Sequence, residues 1–149
     1  MEIERKYLVD VNQLKDYLPQ EGLAIKQGYF VSNEQFAVRV RTKGSKGYIT
    51  IKGAGNGLSR EEFEYAIPSE EAAQMLDLFA KPYLSKIRYE INYEGHLWEV
   101  DVFQDTLAPL IVAEIELQSE DESFALPPFV TEEVTFDPQY LNSNIIKRL

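Results

Sequence analysis

The chain has no cysteine among its 149 residues. That excludes disulfides, thiolate nucleophiles and Cys-ligated zinc or iron–sulfur centres. It also lacks a basic excess: 25 Asp and Glu stand against 15 Lys and Arg, a formal net charge of −10. Duplex DNA or RNA is therefore not an expected partner. An acidic chain that handles anions needs locally clustered bases or metal ions. No apolar run approaches the roughly 20 residues of a membrane span, and the charged start, Glu2-Ile3-Glu4-Arg5-Lys6, has no n-region and h-region of a signal peptide. A cytoplasmic location without membrane contact is expected. Low-complexity linkers and internal repeats are absent, so residues 1–149 read as one domain. What is present suffices for a core: 44% of residues are hydrophobic and 27% charged.

Alternation dominates the rest. Strands are predicted at Glu2–Val9, Leu23–Ser32, Phe36–Thr42, Tyr48–Lys52, Arg60–Ile67, Tyr83–Tyr93, His96–Phe103 and Leu110–Leu117, with a short one at Val130–Phe136. Lys43–Gly47 and Glu94-Gly95 are hairpin turns. Gly28 inside its strand signals a bulge or a close approach. Gly53–Gly57 reads as a long hairpin loop and lacks the GxxxxGK[ST] order of a nucleotide P-loop. Helices are predicted at Val11–Leu18, capped by Asp10 or Asn12, and after Pro68, with Ser69 as N-cap and Pro82 at the end. One helical turn is expected in Ser119–Ala125, and a helix follows Asp137-Pro138 to about Lys147. Antiparallel strands joined by hairpins, with few helices, favour a barrel or a strongly curved sheet.

The charged residues then sort by face, because residues two apart on a strand point the same way. Glu2, Glu4 and Lys6 share a face. So do Arg39 and Arg41, Thr50 and Lys52, Glu62 and Glu64, Lys86 and Arg88, Glu99 and Asp101, and Glu114 and Glu116. For any single strand, a solvated sheet face explains the pattern. Two features argue for more. Most doublets carry one sign only, whereas opposed like charges destabilise a solvent-facing sheet. The pattern also extends over almost the whole chain. A closed barrel turns all these faces into one lumen. Arg and Lys match phosphate oxygens, and paired carboxylates are hard oxygen ligands for Mg²⁺ or Mn²⁺. A polyphosphate chelated by a divalent metal satisfies both sets.

In that order the motifs resemble a known family. Glu2-Ile3-Glu4-Arg5-Lys6 is similar to the ExExK signature of the CYTH domain, the triphosphate tunnel metalloenzymes. Arg39-Val40-Arg41, Thr50-Ile51-Lys52, Arg60–Glu64, Lys86-Ile87-Arg88, Trp98–Asp101 and Ala113–Glu116 resemble its RxR, Lys-bearing, RxExE, KxR, WExD and AExE strands. Val134-Thr135 with Tyr140-Leu141-Asn142 resembles its VT…YxN close. The compact length is like that of the short bacterial members.

The resemblance implies an α+β, mainly β fold: an eight-stranded antiparallel closed barrel with a few covering helices. It implies a small-molecule triphosphate substrate and metal-dependent hydrolysis, inorganic tripolyphosphate giving pyrophosphate and phosphate. On that basis Lys6, Arg39, Arg41, Lys52, Lys86 and Arg88 hold the triphosphate, with Lys52 and Arg88 also catalytic. Glu114 and Glu116 take a first metal. Glu2 and Glu4 are catalytic, holding a second metal or the attacking water, with Glu62, Glu64 and Asp101 assisting. The cofactor is Mg²⁺ or Mn²⁺ and the chain a monomer or homodimer. Alternatives on the same scaffold are a class IV adenylate cyclase, a thiamine triphosphatase or an NTPase. A non-catalytic polyphosphate-binding or nucleotide-binding module is the alternative of another class. His96, the only histidine, follows a turn and is read as an exposed loop residue. Arg60, Glu90 and Glu99 stay ambiguous, and the segment Gln139–Arg148 is a candidate plug for one end of the tunnel.

Overall fold

The computed structural model describes residues 1–55 and 58–149. Asn56 and Gly57, the tip of the predicted glycine-rich loop, lie outside the described residues. The strands are β1 (Glu2–Val9), β2 (Leu23–Ser32), β3 (Phe36–Lys43), β4 (Lys46–Gly55), β5 (Ser59–Ile67), β6 (Leu84–Tyr93), β7 (His96–Phe103), β8 (Ile111–Glu116) and β9 (Val130–Glu133). They pair antiparallel in the order β5-β4-β3-β2-β6-β7-β8-β1. The ring closes where Glu2 and Ile3 of β1 meet Arg60 and Ser59 of β5. Eight strands therefore form the barrel, as the family resemblance implied. The ninth, β9, takes the far end of the same edge of β1, opposite Tyr7 and Val9.

Two tight turns set the register that matters. Glu94 and Gly95 both have positive φ, 48° and 81°, the backbone twist a two-residue hairpin requires. Counting back from that turn places Arg88 opposite Asp101. Gly44, also left-handed, turns β3 into β4 so that Arg39 faces Thr50. Gly28 is a close approach: a Cβ there would lie 2.5 Å from the Ala80 carbonyl oxygen. A bulge follows it, between Tyr29 and Val31.

Apolar residues outside the ring are covered unevenly. Tyr7, Trp98, Val100, Ala113 and Ile115 form one buried cluster with Leu14 and Phe129. Leu14 belongs to helix α1 (Val11–Leu14), whose cap is Asp10, accepting from the Asn12 amide at 2.9 Å. The helix stops four residues short of the predicted Leu18: Leu14 is its one buried residue, while Tyr17 leans edge-on against Tyr93 and Phe129. Helix α2 (Ser69–Phe79) packs Ala72 and Leu76 on Val40. Pro68, not Ser69, sits at its cap position and lends its carbonyl to the Ala72 amide. Glu70 and Glu71 still meet the positive end of the helix dipole.

Two further expectations change. Residues 119–121 form a turn and 122–125 no regular structure, in place of the expected helical turn: a side chain captures a backbone donor, the Gln118 amide donating to Glu122 Oε1 at 2.6 Å, and the Ser119 hydroxyl donates to Asp121 Oδ1 at 2.9 Å. The C-terminal helix breaks into 3₁₀ turns at Pro138–Tyr140 and Ile146–Arg148 around a single helical turn, α3 (Asn142–Ile145). Asn-Ser-Asn is weak helix material, so packing decides its shape. Ile145 and Ile146 bury against Leu84, Phe103 and Val112, residues on the inward faces of β6, β7 and β8. The barrel is stoppered with apolar side chains on this side. Ile145 is 1% exposed, so Ile145→Ala is expected to cost about 2–5 kcal/mol, read from the shift of the denaturant midpoint.

Candidate active site

The inward faces converge on one cavity. It has a volume of about 60 Å³. Its walls include Glu2, Glu4, Lys6, Arg39, Arg41, Lys52, Lys86, Arg88, Glu114 and Glu116. A neighbouring space of about 270 Å³ shares Glu2, Glu4, Lys6, Lys52 and Arg60 with it. Ten of the thirteen predicted site residues thus line one chamber.

The charges there are already paired with one another. Lys52 Nζ donates to Glu2 Oε1 at 3.1 Å and lies 3.6 Å from Glu62. Arg41 Nη2 donates to Glu64 Oε1 at 3.0 Å. Arg39 Nη2 donates to Thr50 Oγ1 at 3.1 Å, and Thr50 in turn to Glu64. Arg88 reaches Glu99 at 3.1 Å and grips both oxygens of Asp101, at 2.7 and 2.9 Å. Lys86 Nζ sits 2.7 Å from the same carboxylate. These pairs keep many buried charges compensated, and they hold the bases in a narrow space.

The compensation is incomplete in two places. Glu4 stands directly opposite Glu116 on β8, and Lys6 opposite Glu114. Lys6 Nζ lies between Glu4 and Glu114, 3.7 and 3.8 Å away. Burial first, and then the Glu114 charge, push the Glu4 carboxyl up to about 7. Burial and the adjacent Glu62 also raise Glu2, with Lys52 opposing. For Glu114, burial is outweighed by Lys6, Arg88 and Lys86, which hold it well below the usual carboxylate range. The second place is basic. Arg39 Nε and Arg41 Nε are buried with no hydrogen-bond partner among the described residues. Burial, against the pull of Asp101, lowers the Lys86 ammonium to about 8. Orphaned buried guanidinium donors call for an anion, and crowded carboxylates call for a cation.

Three predicted residues stand apart from the chamber wall. Asp101 is 1% exposed and lies behind Lys86 and Arg88. Glu62 and Glu64 are held by Lys52 and Arg41. No group of three or more His, Cys, Asp or Glu is gathered around a single ion position among the described residues. Arg60 and Glu99, left ambiguous by sequence, both line the chamber. Glu90 is exposed, opposite Glu99. His96 is half-buried and pairs with Glu122 at 2.8 Å, away from the chamber. Tyr29, Ala37 and Leu141–Ser143 also line the cavity, although charge patterning gave no sign of them. The backbone places them: Tyr29 is opposite Arg39, and the C-terminal turns bring the Tyr140 carbonyl and Asn142 Oδ1 each to 3.3 Å from Lys6 and Lys86 Nζ.

Comparison with known proteins fits this geometry. The CYTH domain model matches residues 1–147. The chain belongs to the CYTH domain family. An inorganic triphosphatase of Acetivibrio thermocellus is 44% identical over 147 residues, 98% of this chain and 93% of that protein. An inorganic triphosphatase of Nitrosomonas europaea is 34% identical, covering 95% and 93%. A solved inorganic triphosphatase superposes with a TM-score of 0.68 at 30% identity, over 98% of this chain and 94% of that one. A protein of Pyrococcus horikoshii, 19% identical with a TM-score of 0.63 over 81% and 80%, shares the fold. For a CYTH chain of this kind a divalent metal is implied, and the residues that would hold one by their chemistry are Glu2, Glu4, Glu114 and Glu116, whose hard oxygens line adjoining walls of the chamber. No helix among the described residues is long and apolar enough to cross a membrane.

Proposed function

We propose that this CYTH protein is a divalent-metal-dependent triphosphatase whose substrate is inorganic tripolyphosphate, releasing phosphate and pyrophosphate. The observation that carries the reading is one chamber lined by seven Lys and Arg side chains, two of them with buried Nε donors that have no partner among the described residues, beside the carboxylates of Glu2, Glu4, Glu114 and Glu116. Binding is an exchange of partners. Lys6, Arg39, Arg41, Lys52, Lys86 and Arg88 leave their carboxylates for triphosphate oxygens, with Arg contacts bidentate. Glu2 and Glu4, released from Lys52 and Lys6, join Glu114 and Glu116 as the metal-holding set. Mg²⁺ or Mn²⁺ bound there supplies charge neutralisation at the phosphate oxygens.

Glu4 then has a second role. Burial and then the Glu114 charge raise its carboxyl before metal and substrate enter, and its carboxylate is the group that accepts the proton of the attacking water. The water oxygen attacks the terminal phosphorus, the bridging P–O bond breaks, and pyrophosphate leaves with the electron pair. Lys52 and Arg88 neutralise the charge that develops on the transferring group. Asp101, Glu62 and Glu64 act by positioning those bases.

The test is a parallel assay of tripolyphosphate, ATP and thiamine triphosphate with Mg²⁺ or Mn²⁺. Tripolyphosphate is expected to have the highest kcat/KM, and chelation to abolish turnover reversibly. Cyclic AMP formed from ATP faster than tripolyphosphate is cleaved, or turnover persisting in a chelator, would contradict the proposal.

A further inference from the structure

The C-terminal segment carries two asparagines that bond in different directions. Asn144 Nδ2 donates to the Pro138 carbonyl at 2.8 Å, a contact within the segment itself. Asn142, the first residue of α3, makes no such local bond; the cap position before it is Leu141. Its carboxamide goes to the chamber instead. Asn142 lines the cavity, and its Oδ1 accepts from Lys86 Nζ at 3.3 Å. An ammonium only donates, so the oxygen must face Lys86, which leaves Nδ2 on the opposite side of the carboxamide. That Nδ2 has no partner among the described residues.

The position of Asn142 is fixed from behind. Ile145 and Ile146, one turn on, are buried against Leu84, Phe103 and Val112. Leu84 precedes Lys86 by two residues on β6, and Phe103 stands opposite Lys86 on β7, its ring centre 5.5 Å from the ammonium. The wall that carries Lys86 therefore also anchors the turn that carries Asn142. Lys86 Nζ has two oxygen partners of different kinds: the charged, sealed Asp101 at 2.7 Å and the neutral carboxamide of the chamber wall at 3.3 Å.

We infer that Asn142 is a further triphosphate-binding residue: its carboxamide bridges Lys86 and the substrate, Oδ1 holding the ammonium towards the chamber while Nδ2 donates to a phosphate oxygen. The inference rests on triphosphate as the ligand of the chamber. A phosphate oxygen held by Lys86 lies beside the carboxamide that holds the same ammonium, and an N–H donor next to an oxyanion makes a charge-assisted hydrogen bond. Neutrality suits the place. A carboxylate there would grip Lys86 as Asp101 does and repel the triphosphate, whereas an amide aims the ammonium without adding negative charge.

Steady-state hydrolysis of tripolyphosphate with Mg²⁺ or Mn²⁺, together with melting temperatures, tests the inference on wild type, Asn142→Leu, Asn142→Asp and Asn144→Ala. Asn142→Leu keeps the size and loses both polar groups. Its KM is expected to rise about 10- to 100-fold, the range for a hydrogen bond to a charged group, with kcat within a few-fold of wild type and an unchanged melting temperature. That split marks lost substrate binding. Asn142→Asp keeps the acceptor, loses the donor and adds a charge, so its KM is expected to rise at least as much; should Asn142→Leu fail to fold, this variant decides. Asn144→Ala is expected to lower the melting temperature and leave KM near wild type. A wild-type KM in either Asn142 variant overturns the inference. So does an equal rise in KM for Asn144→Ala, because the effect then comes from the fold of the segment. A wild-type chain that does not turn over tripolyphosphate overturns the proposed function, and this inference with it.

Discussion

Asp101→Ala is expected to destabilise the protein by about 3–5 kcal/mol, because it removes the carboxylate that Lys86 and Arg88 share and leaves these two buried cations repelling each other. Asp101 is 1% exposed. It accepts from Arg88 Nε and Nη2 and from Lys86 Nζ, all within 2.9 Å. Burial alone would raise its carboxyl, yet Lys86 and Arg88 hold it below the usual range. At about 2–4 °C per kcal/mol for a chain of this size, the melting temperature drops by roughly 10 °C. Tripolyphosphate is expected to restore much of the loss, since its oxygens supply the missing negative charge. Asp101→Asn falls between, keeping the shape and losing the charge. A melting temperature for Asp101→Ala within a degree or two of wild type would show that Lys86 and Arg88 do not depend on this carboxylate.

Glu4→Gln is expected to lower kcat for tripolyphosphate by about 10²–10⁴, the range for loss of a general base. The amide is nearly isosteric but takes no proton and binds a hard cation poorly. Its effect on stability runs the other way. Glu4 is opposed by Glu116 across the strand pair, and burial first, then the Glu114 charge, already push its carboxyl up to about 7. Removing that charge relieves repulsion, so the melting temperature is unchanged or higher without metal. A fall in kcat at unchanged or higher melting temperature separates a chemical role from a structural one. Unaltered turnover in saturating Mg²⁺ or Mn²⁺ would remove Glu4 from the mechanism.

Much of this was legible from alternation, and the limit of legibility is physical. A period of two tells which face a side chain is on. It gave Glu2, Glu4 and Lys6 one face, and likewise Arg39 with Arg41 and Lys86 with Arg88. It does not tell how deep along the barrel a residue sits, or which charge meets it. Glu99 and Asp101 look alike as a doublet; in the barrel one lines the chamber and the other is sealed behind two bases. Register counted from the Glu94-Gly95 turn does carry that information, since it puts Asp101 opposite Arg88. The C-terminal turns were harder. Asn142–Ile145 has no strong local preference, and its shape comes from Ile145 and Ile146 packing into the barrel. The contacts of Tyr140 and Asn142 with Lys6 and Lys86 follow from that packing.

The inward-facing charges of β1 to β8 are proposed to bind triphosphate and metal together. A crystal structure of the protein with tripolyphosphate and Mn²⁺, the metal located by its anomalous scattering, tests it most directly. Manganese is expected on carboxylates among Glu2, Glu4, Glu114 and Glu116. Phosphate oxygens are expected on Lys6, Arg39, Arg41, Lys52, Lys86 and Arg88, with Asp101 still between Lys86 and Arg88. Triphosphate bound outside the barrel, or manganese held away from those four glutamates, would contradict it.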